Sequence, residues 1–144
     1  MRPIYKTSAT ISGGEQGRVI SEDGVLDVEV RTPKSVGGIG GAYTNSEQLF
    51  AAGYAACFDS SLHYVAKKQN LSVESTIKAT VGLKPSIDAG LVLDISVDVR
   101  IQGVDRETAE KLMAKAYQTC PYSKAIRNNV DVRINLVEEI EEAI

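Results

Sequence analysis

The chain has 144 residues, 43% of them hydrophobic and 24% charged, with a formal net charge of −3. That is the profile of one globular domain spanning 1–144, with no electrostatic footprint for nucleic acid or an anionic membrane. No apolar run reaches membrane-spanning length, MRPIYKTSAT lacks the apolar stretch of a signal peptide, and a cytoplasmic location is the expectation.

Residues 5–11 and 18–30 read as short strands, with the turns SGGEQG and SEDG between them. Next comes SVGGIGGAYT, which is glycine-rich and precedes a helix. It matches neither the P-loop nor the dinucleotide spacing, so it reads as a flexible connection rather than a phosphate cradle. Thr44 to Asn70 then reads as one long helix. Thr44 with Glu47 forms a capping box, and Asn70 makes a left-handed stop after Lys67 and Lys68. Leu49 to Phe58 carries no charge, which predicts a helix buried on every side.

After it, Ser75–Lys84 and Leu91–Ile101 alternate apolar and polar residues as half-buried strands, joined by PSIDAG. Asp105 caps a second helix with Val104 and Ala109 as a staple, and its core stripe is Ala109, Leu112, Met113 and Ala116. Pro121 stops that helix and opens a short third one. Val130–Val137 is a last strand, and EEIEEAI is an acidic tail. The order, with mostly antiparallel neighbours, predicts an α+β fold.

There are two cysteines and one histidine, at no recognisable zinc spacing, so no metal is expected. Cys57 on the long helix reads, taken alone, as a small buried hydrophobe. Cys120 falls at the N-cap before Pro121, where unpaired amides favour a thiolate, although cysteine is a poor cap. The two fit an attacking and a resolving thiol, a pairing that spacing alone does not single out. His63 lies six residues beyond Cys57, a net rotation of about 240° on a helix, so it faces away from the thiol. No glycine-flanked serine elbow is present. Arg18 reads as a solvated surface arginine and Glu47 as a capping residue.

SEQLFAAGYAACF and CPYSKAIRNNVDVRINLV, with Arg18 behind a glycine-containing turn, resemble the organic hydroperoxide resistance proteins. These are a branch of the osmotically inducible protein C (OsmC/Ohr) superfamily. The resemblance runs over essentially the whole chain; Ser46 stands where that family commonly has proline. It implies an OsmC-like fold, with antiparallel sheets around a long buried central helix in an intertwined homodimer. It also implies that Cys57 is the peroxidatic cysteine and Cys120 the resolving one, with Arg18 and Glu47 completing the site. The activity implied is reduction of organic hydroperoxides without a bound cofactor, the reductant being an external dithiol such as a protein-borne lipoyl group. Apolar lining would come from Leu49, Phe50, Tyr54 and Phe58. Two other readings are an osmotic-stress peroxidase with another substrate range, and a redox-sensing or ligand-binding module that does not turn over.

Helix geometry adds a reason for the dimer. Glu47 and Cys57 are separated by ten residues, about 15 Å along one axis, too far for a single arginine to serve both. The resemblance nevertheless puts all three in one site, and two copies crossing antiparallel near Ala52 would bring Glu47 of one level with Cys57 of the other, with Ala51-Ala52-Gly53 allowing close approach. The alternatives are that these alanines pack only beneath the protein's own sheet, or that a kink in the helix shortens the distance.

Overall fold

The long central signal becomes α1 (Ser46–Lys68), the longest helix of the computed structural model, which describes residues 1–142. Its start lies one residue beyond the expected cap. Asn45 Oδ1 accepts the Gln48 amide at 2.8 Å, while the Thr44 hydroxyl turns to Gln48 Oε1, also at 2.8 Å. The reason is that Thr44 is committed to a strand-like ladder: its amide reaches Glu29 O at 3.3 Å and its carbonyl accepts from Arg31 N at 2.9 Å. Asparagine is also the stronger cap. At the other end Asn70 has φ 55°, and its amide reaches Lys67 O while Leu71 N reaches Ala66 O. That pair of bonds is a Schellman stop, as expected.

The chain divides into two compact units, Met1–Leu49 and Phe50–Ile144. In the first, β1 (Ala9–Ser12), β2 (Gly17–Ser21) and β3 (Asp27–Val30) form an antiparallel sheet in that order. The first strand starts four residues later than expected. The glycine-rich stretch is a built turn rather than a flexible connection. Gly38 N bonds to Pro33 O at 3.0 Å and Gly40 N to Thr32 O at 3.1 Å. A Cβ on Gly38 would lie 2.0 Å from Thr32 O, so only glycine fits there. Arg31, with 9% of its side chain exposed, donates to the Gly17 and Val30 carbonyls and lies 4.3 Å from the Tyr43 ring centroid.

The second unit holds every buried hydrophobic side chain among the described residues. Strands β4 (Glu74–Ser86) and β5 (Gly90–Gln102) form a long hairpin, with Gly90 at φ 71° closing its tip. Helices α2 (Arg106–Thr119) and α3 (Pro121–Ile126) follow, then β6 (Val132–Leu136). Asp105 accepts the Thr108 amide at 2.9 Å, as the capping pattern predicts. One pairing departs from the antiparallel expectation. Strand β6 runs parallel to β5, from Ile95 opposite Val132 to Val99 opposite Leu136. A parallel return needs a long crossover, and α2 with α3 supplies it. The order β4-β5-β6 leaves β5 central, and its Ile95, Val97 and Val99 are fully buried.

Helix α1 buries Tyr54, Phe58, Leu62, Val65 and Ala66 in that same core. It is not enclosed on every side, however: Ala52 and Ala56 are exposed. A helix offers only one face to a sheet, and the opposite stripe of small residues is left uncovered in the protomer. Beside it runs a groove of about 440 Å³ lined by Ala51, Ala52, Ala55, the Thr76–Ala79 stretch and, in the acidic tail, Ile140, Glu141 and Glu142. The last two residues of that tail, 143 and 144, lie outside the described residues.

Candidate redox site

Cys57 and Cys120 are 63 residues apart in sequence, and their sulfurs lie 3.5 Å apart. Cys57 comes from the middle of α1. Cys120 is the hinge residue of the α2–α3 junction, at once the C-cap of one helix and the N-cap of the next. Its amide still reaches Ala116 O at 2.8 Å, and its carbonyl accepts from Lys124 N at 3.0 Å. Pro121 makes this junction, since proline ends α2 at its preceding residue and suits the first position of α3.

Burial departs from the sequence reading, which made Cys57 the buried one. Cys120 is wholly buried, whereas Cys57 is partly exposed. The α2–α3 corner turns into the core beside Ala116, while Cys57 lies on α1 between exposed Ala56 and buried Phe58. Cys120 makes no side-chain cap bond, so its sulfur is left free to face Cys57. Burial pushes the Cys57 thiol above its ordinary value, and the adjacent Cys120 thiol acts in the same direction. The Tyr122 backbone N–H, aimed at the Cys57 sulfur, pulls the other way by favouring the thiolate.

The aromatic candidates separate by burial. Tyr54 and Phe58 are completely enclosed and share one hydrophobic cluster with the two cysteines. Phe50 is half-buried and meets Tyr54 edge-on at 6.2 Å. The Tyr54 hydroxyl bonds the Ser123 hydroxyl at 2.6 Å.

Arg18, Glu47 and Leu49 belong to the first unit. Arg18 Nε and Nη2 donate to Asp27 Oδ1 and Oδ2 at 2.6 and 2.7 Å, a bidentate fork between β2 and β3. Asp27 raises the guanidinium pKa, and the same pair holds the Asp27 carboxyl below its ordinary value. Sequence reading missed Asp27; the available signal was its place on the strand paired with Arg18's own. Glu47 accepts from the Ser46 hydroxyl at 3.1 Å and is half-buried, as is Leu49. His63 is 46% exposed and sits with Ser75 and Asp59, its Nε2 2.7 Å from Ser75 Oγ and 3.5 Å from Asp59 Oδ1. The Ser75 hydroxyl donates to Asp59, so this cluster holds no activated serine. Among the described residues no group of three or more His, Cys, Asp and Glu is placed to hold a metal ion.

Two thiols this close can be oxidised to a disulfide, and sequence comparison identifies the lineage of the chain that carries them. The family of OsmC-like proteins matches residues 39–135. The chain belongs to that OsmC-like family. Within it, the chain belongs to the organic hydroperoxide resistance branch that its motifs resemble. It is 44% identical over 136 residues to organic hydroperoxide resistance protein OhrB of Bacillus subtilis, covering 92% of this chain and 98% of that one. It is 42% identical to the organic hydroperoxide resistance protein of Xanthomonas axonopodis pv. citri, covering 92% and 94%. Its fold is similar to the crystal structure of an organic hydroperoxide resistance protein from Elizabethkingia anophelis, with a TM-score of 0.91 and 43% identity over 96% of this chain and 100% of that one. No helix among the described residues is long and apolar enough to cross a membrane.

Proposed function

We propose that this protein is a thiol peroxidase that reduces organic hydroperoxides to alcohols. The observation that carries the reading is the 3.5 Å approach of Cys57 and Cys120. The Cys57 thiolate attacks the outer peroxide oxygen, the O–O bond breaks, and the alkoxide leaves and takes up a proton as the alcohol. Cys57 becomes a sulfenic acid, the reversible first rung of cysteine oxidation. Cys120 attacks the sulfenic sulfur, the S–S bond forms and water leaves. Cys57 is the attacking thiol because it is the partly exposed one and the Tyr122 amide supports its anion. An external dithiol then reduces the bridge by exchange, leaving both thiols free and the dithiol oxidised. A protein-borne lipoyl group has the required chemistry, and a reducing compartment such as the cytoplasm suits a resting free pair. Half-buried Phe50 offers apolar contact to an organic substituent.

Arg18 and Glu47 complete the reading on chemical grounds. A guanidinium lowers a neighbouring thiol's pKa and donates to the peroxide oxygen as charge develops, and a carboxylate orients the guanidinium. The proposed assembly is a homodimer. Two features support it: the exposed stripe Ala52 and Ala56 on α1, and a first unit whose Ile11, Ile20 and Leu26 remain exposed. A three-stranded sheet without a covered apolar face is not stable by itself.

The test is consumption of cumene hydroperoxide with dihydrolipoamide, compared with hydrogen peroxide and glutathione. Mass spectrometry after one equivalent of hydroperoxide should show a Cys57–Cys120 bridge. A product without that bridge removes the resolving role. Oxidation that stops after one equivalent, with dithiol present, identifies a sensor instead.

A further inference from the structure

The two buried hydroxyls beside the sulfur pair, Tyr54 and Ser123, have no part in the cycle above. Both are fully buried, and each is the other's side-chain partner at 2.6 Å. Tyr54 precedes Cys57 by three residues on α1, and Ser123 follows Cys120 by three residues on α3. The hydroxyl pair and the sulfur pair therefore join the same two elements, about one helical turn apart. We propose that Tyr54 and Ser123 are positioning residues for the resolving step: their bond holds the α2–α3 junction on α1 and keeps Cys120 in reach of oxidised Cys57. The proposal rests on the Cys57–Cys120 bridge of the reading above.

The requirement comes from distance. The sulfurs, at 3.5 Å, must close to about 2.05 Å, and reaching that length needs the junction to stay in register with α1. Helix α3 has six residues, too few to hold a place through its own backbone bonds, and Ser123 is its one fully buried side chain. It is also held by the Tyr122 ring over Gly53, where an added Cβ would come within 3.2 Å of the ring, and by half-buried Ile126 at its end. Burial also raises the Tyr54 pKa, so the phenol stays neutral, and either hydroxyl can donate in the bond. Losing either hydroxyl strands the other without a partner in a dry site.

During turnover Cys57 sulfenic acid has two fates. Attack by Cys120 forms the S–S bond, breaks S–O and releases water. Attack on a second hydroperoxide adds an oxygen to Cys57, releases a second alcohol and leaves a sulfinic acid. A looser junction shifts the partition toward the second fate without touching the first oxidation.

The experiment uses Tyr54→Phe and Ser123→Ala from opposite ends of the bond. Ser61→Ala is the control, because Ser61 is also buried but bonds Cys57 O within α1. Equilibrium with a dithiothreitol redox buffer reads bridge formation with no hydroperoxide present. The expected result is a loss of about tenfold in that constant for both variants, the scale of one hydrogen bond, with the double variant no worse than either. Ser61→Ala should leave the constant unchanged. With graded cumene hydroperoxide, Ser123→Ala should consume the first equivalent at the wild-type rate yet accumulate Cys57 sulfinic acid. A wild-type dithiothreitol constant in both variants overturns the proposal, as does a loss matched by Ser61→Ala. Wild-type protein that forms the bridge in the buffer but consumes no hydroperoxide sinks the peroxidase reading alone.

Discussion

Burial favours the protonated form of a thiol, and half-buried Cys57 shows the consequence in the direction of its shift. Without the Arg18 guanidinium, as in Arg18→Ala, alkylation of Cys57 should accelerate only as pH rises through a value above that of an ordinary thiol, and the intact site should bring that value down. A stopped-flow profile flat across that range would contradict this. The linked stability has the opposite slope. A pKa raised by folding contributes stability that is complete below the unfolded value and fades as pH climbs through the folded one, so Cys57→Ser should remove this alkaline loss and abolish peroxide consumption together. Arg18 offers the second residue-scale test. Arg18→Lys keeps a charge but loses the planar fork that grips both Asp27 oxygens, and activity should drop well over tenfold if the guanidinium so held must also meet the peroxide. Thiolate absorbance unchanged in Arg18→Lys and Arg18→Ala would remove Arg18 from the site. That Cys57 and Cys120 would meet was readable in advance through the family resemblance, because both cysteine motifs are long. Burial was not, since it depends on which way the α2–α3 corner turns, and nothing local to Cys120 encodes that.

At the scale of elements, α1 depends on its ends. Asn45→Ala should cost about 1 kcal/mol and lower the melting temperature by about 3 °C, whereas Thr44→Ala should cost less. Equal losses would restore Thr44 as the cap. The long strands, the Asp105 cap and the Asn70 stop were legible because each rests on residues within a few positions of one another. The parallel pairing of β6 was not, because strand direction is set by the crossover before it rather than by alternation within Val132–Leu136. The glycine-rich turn was misread for a related reason. Composition shows that glycines permit freedom, but the Gly38 approach to Thr32 O uses them for closeness instead.

For the whole molecule, the proposed homodimer has its second copy crossing at exposed Ala52 and Ala56. Mixing inactive Cys57→Ser chains with inactive Glu47→Ala chains should restore activity after subunit exchange, because each hybrid regains one intact site. Hybrids that stay dead after verified exchange, or an active monomer, would refute the shared site. The two touching sulfurs have one more consequence, for the unfolded chain. A bridge between them closes a loop holding the whole β4–β5 hairpin and α2, and by chain-entropy reasoning a loop of that length removes on the order of 4 kcal/mol of disorder from the unfolded state. The same peroxide that consumes the reduced protein would therefore leave its second unit harder to unfold, and resistance to denaturant would rise and fall with each turn of the catalytic cycle.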